Sequence, residues 1–196
     1  MSSRRILLIQ GHPDAGSRHL GHALADAYAE AASAAGHEVR RVEVAQLEFP
    51  WLRSQADWQH GPVPVALAPV QQDVLWAQHL VFVFPLWLGD MPALLKAFLE
   101  QLARPGFAFK EAEDNPFAVK ALSGRSARVV VTMGMPAAVY RWFYRAHSVK
   151  SLERNILGFV GITPVSATLI GGVDGLGSAG VQRWLSKLRR LGRDAG

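Results

Sequence analysis

The 196-residue chain contains no cysteine. Disulfides, cysteine-ligated zinc, iron–sulfur clusters and thiol nucleophiles are therefore excluded, and the absence fits a reducing compartment. Long apolar runs are also missing. The N-terminal stretch MSSRRILLIQGHPD has one such run, Ile6 to Ile9, too short for a signal peptide or a membrane span. The expectation is a soluble, cytoplasmic protein without membrane insertion. The loop after the first apolar run, residues 11–19, is not a GxGxxG dinucleotide loop, and no GxxxxGKS/T phosphate loop is present, which speaks against kinase or NTPase chemistry. Charged residues are sparse at 19% while apolar residues reach 49%, the composition of a folded domain rather than a disordered segment. The length suits one domain over residues 1–196, and no repeat or linker divides it.

Acidic residues are the minority, leaving a formal charge of +5. Basic side chains gather in one place, Arg183, Lys187, Arg189, Arg190 and Arg193, where they suit the C-terminal turns of a helix. No aromatic-interleaved basic stripe, zinc finger or RNA-binding signature accompanies them, so nucleic acid is not an expected partner.

What is present is an alternation of two periodicities. Short β-rich runs occur at 4–10, 38–44, 80–84, 128–133 and 165–170, and helical spacing fills 18–35, 67–78, 92–103, 148–159 and 178–191. Gly36 follows the first helical run where a stop belongs, and Pro92 sits at the first turn of the third. The runs ILLI, VFVF and VVVT lack a two-residue alternation, as strands covered on both faces do. Residues 45–65 read as an irregular excursion, and 106–125 as a loop with room for a short hairpin. The pattern predicts an α/β fold: a doubly wound, five-stranded parallel sheet in the order 2-1-3-4-5, helices on both faces.

In such a sheet, ligands bind beyond the carboxyl ends of the strands. Three loops emerge there: QGHPDAGSRHL, FPLWLGDMP and TMGMPAAVY. The first leads into a helix whose free amides attract anions. Ser17 can cap that helix or bond a phosphate, and Arg18, His12 and His19 can add positive charge. His19 and His22 have the spacing of two metal ligands, but no third ligand motif joins them and no metal is expected. In the second loop, Pro85, Leu86, Trp87 and Leu88 can press apolar groups and amides against a flat ring. In the third, Thr132, Met133, Gly134 and Met135 allow close backbone approach, and Tyr140 and His147 beyond it can exchange protons with a substrate.

These three segments, with GFAF after the second, resemble the flavodoxin-like NAD(P)H:quinone oxidoreductases. That family includes mammalian quinone reductases, bacterial drug-modulator quinone reductases and the ancillary oxidoreductases of potassium-efflux systems. The resemblance covers about residues 4 to 172 in order, and the PLW…PALLK…GFAF motif is its most specific part. It implies a flavin cofactor, FMN or FAD, NAD(P)H as electron donor, a quinone-like small-molecule acceptor, and ping-pong hydride transfer through the flavin. It also implies a homodimer with the site near the interface, for which the tryptophan-bearing segments 51–58 and 140–147 are candidates. His12, Ser17, Arg18 and His19 match the loop holding the flavin phosphate and ribityl chain. Pro85, Leu86, Trp87 and Leu88 match the stretch along the ring, and Thr132, Met133, Gly134 and Met135 the loop at its pyrimidine edge. Tyr140 falls on the family's active-site tyrosine, whereas His147 lies one residue beyond its histidine. Leu88 and Gly89 stand where longer members often carry tryptophan or tyrosine. An alternative of the same fold is a flavin-binding accessory or regulatory subunit docking on a membrane transporter. A flavodoxin-type electron carrier fits less well, because the chain is basic.

Overall fold

The computed structural model describes residues 3–110 and 119–196. In chain order the elements are β1 (Arg5–Gln10), α1 (Leu20–Ala34), β2 (Glu38–Glu43), α2 (Gln55–His60), α3 (Ala68–Trp76), β3 (His79–Pro85) and α4 (Ala93–Leu102). Then follow β4 (Phe109–Lys110), β5 (Val119–Lys120), β6 (Ser126–Thr132), α5 (Ala137–Trp142), α6 (His147–Ser151), α7 (Gly158–Val160), β7 (Val165–Ile170) and α8 (Ser178–Arg193).

The main sheet has the order β2-β1-β3-β6-β7 with every pair parallel. Counted along this sheet alone, that is the expected order 2-1-3-4-5. Register follows from the two covered faces. Leu7, Ile9, Phe82, Phe84, Val129 and Val131 face one way, onto α3, α4 and the 147–160 helix. Ile6, Leu8, Val81, Val83 and Val130 face the other, onto α1 and α8. A slip of one residue would exchange the two sets, but both faces are buried, so what selects the register is the fit of individual side chains. Phe82 and Phe84 are 1% exposed, and each contributes on the order of 2 kcal/mol by leaving water.

Three differences from the sequence reading have local causes. The excursion at 45–65 contains α2, a helix of six residues that buries nothing and is held by the Ser54 side chain accepting the Asp57 N–H. Its length is too short for a periodic signal. The helix expected at 148–159 is present but widens to a π-helical stretch at Leu152–Leu157. The hairpin allowed for in 106–125 is the antiparallel pair β4–β5, while residues 111–118 lie outside the described residues.

Candidate active site at the carboxyl edge of the sheet

Parallel register brings the ends of β1, β3 and β6 to one edge: Gln10 pairs with Val83, and Pro85 with Thr132. The loops beyond them are joined directly. Gly11 donates its N–H to Val83 O at 2.8 Å, and Leu86 donates to Thr132 O at 2.7 Å. The rings of His12 and Trp87 meet edge-on, 5.8 Å between centroids.

In the first loop, side chains tie the backbone into a tight hook. The Asp14 N–H donates to His12 Nδ1 at 3.1 Å, the Gly16 N–H to Asp14 Oδ1 at 2.8 Å, and His19 Nε2 lies 2.8 Å from Asp14 Oδ2. These bonds keep Ser17 and Arg18 outside the helix and exposed. The expected role of Ser17 as cap is therefore taken by His19: α1 begins at Leu20, and His22 Nδ1 accepts the His19 N–H at 3.2 Å. The hydrogen bond from His19, then those from Gly16 and Ser17, hold the Asp14 carboxyl down to about 2.

Three imidazoles crowd this hook. His12 stacks on His19 at 4.0 Å and lies 5.1 Å from His22. Burial, then the charges of His19 and His22, push the His12 pKa down. Because the Nδ1 atoms of His12 and His22 both accept backbone N–H groups, each ring keeps its Nε2–H as the donor it can offer. Beneath the loop, Gln10 Oε1 accepts the His12 N–H, while Gln10 Nε2 is buried without a partner among the described residues. Such an orphan donor beneath the loop suits an acceptor that is not part of the chain. The hook opens on a cleft of about 920 Å³ whose far wall carries Asp26, Glu30, Arg41 and Glu43. Arg41 is neutralised there by Asp26 at 2.6 Å and Glu43 at 2.9 Å.

The Pro-Leu-Trp-Leu-Gly knuckle is a two-residue turn. Trp87 and Asp90 exchange both backbone hydrogen bonds, at 2.9 and 3.0 Å, around Leu88 (φ 49°) and Gly89 (φ 83°). Two consecutive positive φ angles suit glycine and burden leucine, yet Leu88 stands fully exposed at the tip. Asp90 anchors the turn: its Oδ1 accepts the Met91 N–H and the Ser148 hydroxyl, both at 2.6 Å. Ser148→Ala and Asp90→Ala are each expected to loosen the turn, weakening binding in the adjacent pocket by about tenfold, with Asp90→Ala the larger since it loses two bonds. Equal ligand titrations in parent and both variants would refute this anchoring.

Across from the turn lies a pocket of about 250 Å³ lined by Leu88, Gly89, Met135, Tyr140, Tyr144 and His147. The link between α5 and α6 is strained: Arg145 and Ala146 both hold left-handed φ angles, 53° and 50°. Strain of this kind persists where surrounding structure enforces it and gathers at functional sites. Here it presents both Tyr144 and His147 to the pocket. Tyr140 sits beneath, 2% exposed, its hydroxyl accepting the Val149 N–H at 3.3 Å. Its burial was not readable from the loop, and Tyr144 was not singled out. The YRAH spacing, with phenol and imidazole three apart, was the available signal. In the third loop, Thr132 and Met133 are buried, Gly134 is exposed and Met135 is half-buried. The Asp174 carboxylate approaches Gly134 so closely that a Cβ there would lie 2.9 Å from it, an acidic neighbour that the sequence reading also missed.

The sequence matches the Flavodoxin_2 family, a flavodoxin-like fold, across residues 4–191. The chain belongs to this family. Among related sequences, a Haemophilus influenzae protein named as an uncharacterized NAD(P)H oxidoreductase is 26% identical over 171 residues, spanning 85% of this chain and 83% of the relative. An FMN-dependent NADH:quinone oxidoreductase of Listeria innocua is 29% identical, over 67% of this chain and 66% of its own. Among solved structures, the NAD(P)H:quinone oxidoreductase from Methanothermobacter marburgensis superposes with a TM-score of 0.81 at 22% identity, covering 99% and 98% of the two chains. An FMN-dependent NADH-azoreductase from Bacillus anthracis, bound to FMN, superposes at 0.73 with 16% identity, over 98% and 99%. At these identities the superpositions establish the fold, and the family assignment rests on the sequence match.

Proposed function

We propose that this flavodoxin-like protein is an FMN-dependent NAD(P)H oxidoreductase acting on quinones or related acceptors. One observation carries the reading: the hook with its imidazoles opens on a cleft on one side of the His12–Trp87 contact, and the Leu88–Tyr144–His147 pocket lies at the same edge. A phosphate-bearing tail and a flat ring need two such compartments at one sheet edge. The names of the Haemophilus and Listeria relatives support the same chemistry. When bound, the flavin supplies two-electron transfer between nicotinamide donor and acceptor, in alternating, ping-pong order.

The chain's own residues hold and shield it. His12 and His22 would donate through Nε2–H, and Ser17, Arg18, His19 and the first amides of α1 would complete a phosphate cradle. The acidic wall of Asp26, Glu30 and Glu43 disfavours a second phosphate, which favours FMN over FAD. Pro85, Leu86, Trp87 and Leu88 would line the ring and exclude water. In the third loop the Thr132 carbonyl and both backbone groups of Met133 are bonded within the fold, so Thr132 and Met133 brace the loop while Gly134 and the Met135 N–H would face the ring's polar edge. Of the expected proton-handling pair Tyr140 and His147, we keep His147 and set Tyr144 beside it, with both able to give a proton to an acceptor oxygen. Tyr140, 2% exposed with its hydroxyl accepting the Val149 N–H, positions α6 instead. The exposed Val139, Trp142 and Phe143 beside Tyr144 form an apolar rim suited to a second copy of the chain, consistent with a homodimer that shares the site.

Titration with FMN and with riboflavin, followed by NADH-driven quinone reduction, tests the reading. Binding of FMN with turnover is expected, as is a loss of about tenfold in FMN affinity on His12→Ala that riboflavin does not share. Tyr144→Phe should lower turnover about 100-fold while sparing FMN retention, with Tyr140→Phe milder. Failure to bind either flavin would overturn the proposal.

A further inference from the structure

Five of the 21 basic residues, Arg183, Lys187, Arg189, Arg190 and Arg193, lie on α8, which carries no acidic residue. The 16 basic residues elsewhere equal the chain's 16 acidic ones. The entire net charge therefore resides on one helix. All five side chains are exposed, together with Gln182 and Ser186. The inner face of the helix is spent on the core: Leu188 is buried, and Trp184, Leu185 and Leu191 pack against α1 and the sheet.

We propose that the outer face of α8 docks the protein onto an anionic lipid surface. Arg183, Lys187 and Arg190 follow the i, i+4, i+7 spacing of one helix face. With 16 residues the helix is about 24 Å long, so it forms a straight, convex, positively charged ridge. A shallow groove of about 430 Å³ along it is lined by Gln182, Arg183, Ser186, Lys187 and Arg190, all from α8 itself. Among the described residues no acidic side chain of another element lines it.

A helix face that merely faces water carries both signs, paired at i, i+4. This one sets like charges together, Arg183 with Lys187 and Arg189 with Arg193 at i, i+4, and Lys187 with Arg190 at i, i+3. Each such pair opposes helix formation. Among the described residues none of the five forms an ion pair with a carboxylate. An anionic plane relieves all of these repulsions at once, and each Lys or Arg near such a surface adds to the attraction. Nucleic acid fits less well. The ridge has no aromatic free to stack on a base, because Trp184 packs inward and the Lys187 ammonium covers its ring at 4.8 Å.

The placement has a geometric consequence. Val181, at the start of α8, lines the same cleft as Ser17 and Arg18. Val181 lies roughly opposite Arg183 and Arg190 around the helix, so docking along α8 leaves that cleft uncovered. The proposal does not depend on the flavin reading, since vesicle binding needs no cofactor.

Flotation of the full chain with vesicles of phosphatidylcholine alone, or of phosphatidylcholine with phosphatidylglycerol, tests it. The parent is expected to float with the anionic vesicles at low salt, to be released at high salt, and to ignore the zwitterionic ones. The variant Arg183→Gln/Lys187→Gln/Arg190→Gln should lose about 100-fold in partitioning and keep its circular dichroism spectrum. Single replacements Arg183→Gln and Arg190→Gln should each lose about fivefold, and Arg183→Lys/Arg190→Lys should retain binding. No flotation with anionic vesicles at low salt, equal flotation of parent and neutralised variants, or stronger retention on duplex DNA than on the vesicles would overturn the proposal.

Discussion

Replacing Gly171 with alanine is expected to cost about 3 kcal/mol of stability and to abolish ligand retention in the crevice. Gly171 follows β7, and its backbone passes under the third loop. A Cβ there would lie 2.1 Å from Ala137 N, 2.6 Å from Met135 O and 2.8 Å from Pro136 C. All three are backbone atoms, so no rotamer change relieves the overlap. The loop must lift, and Gly134, Met135 and the start of α5 lift with it. The adjacent Gly172 is the control. It holds φ at 65° with nothing within 4 Å of its missing Cβ, so Gly172→Ala meets only left-handed strain, about 1 kcal/mol. Urea midpoints of the two variants separate overlap from strain. If Gly171→Ala were as mild as Gly172→Ala, the third loop would not be braced from below.

The second large effect is a loss of stability in acid. His79 opens β3 and is 3% exposed. Its Nδ1 lies 2.8 Å from Ser126 Oγ, while Nε2 has no partner among the described residues. Burial, then the charges of Arg128 and Arg4, push its pKa down to about 4. The folded state thus favours the neutral ring. Above the unfolded pKa of roughly 6.5 the stabilisation is complete, and it is lost as pH falls from there through the folded value. About 3 kcal/mol disappears over that window. His12, whose pKa is also lowered, adds to the loss with the same sign. In His79→Asn, which keeps a polar group beside Ser126, the curve of unfolding free energy against pH should flatten between pH 6.5 and pH 4. An unchanged acid limb in that variant would exonerate His79.

The strands were legible because burial on both faces writes itself as unbroken β-branched and aromatic runs. VFVF and VVVT carry no competing message, so their positions followed, whereas the sheet order, which strand positions do not fix, came from the arrangement usual for such an alternation. The converging loops were legible for the same reason, since three strand ends on one edge leave little choice of place. Side-chain orientation was not. That Tyr144 joins Tyr140 and His147 at the pocket depends on two left-handed residues, Arg145 and Ala146, that have no glycine to announce them. The start of α1 depended on Asp14 seizing both Gly16 and His19, a contact between side chains that no helix-capping rule anticipates from Ser17. Asp174 reaches Gly134 across 40 positions of sequence, and a single chain offers no sign of that.

β3 joins two of the features described above. His79 begins it and Pro85 ends it, about 20 Å apart at the usual rise of a strand. Tolerance of acidity is thus written at one terminus of a single rod and chemistry at the other, with five buried residues between them. A lineage moving into a more acidic habitat can revise the first terminus without disturbing the second, and one acquiring a new substrate can do the reverse.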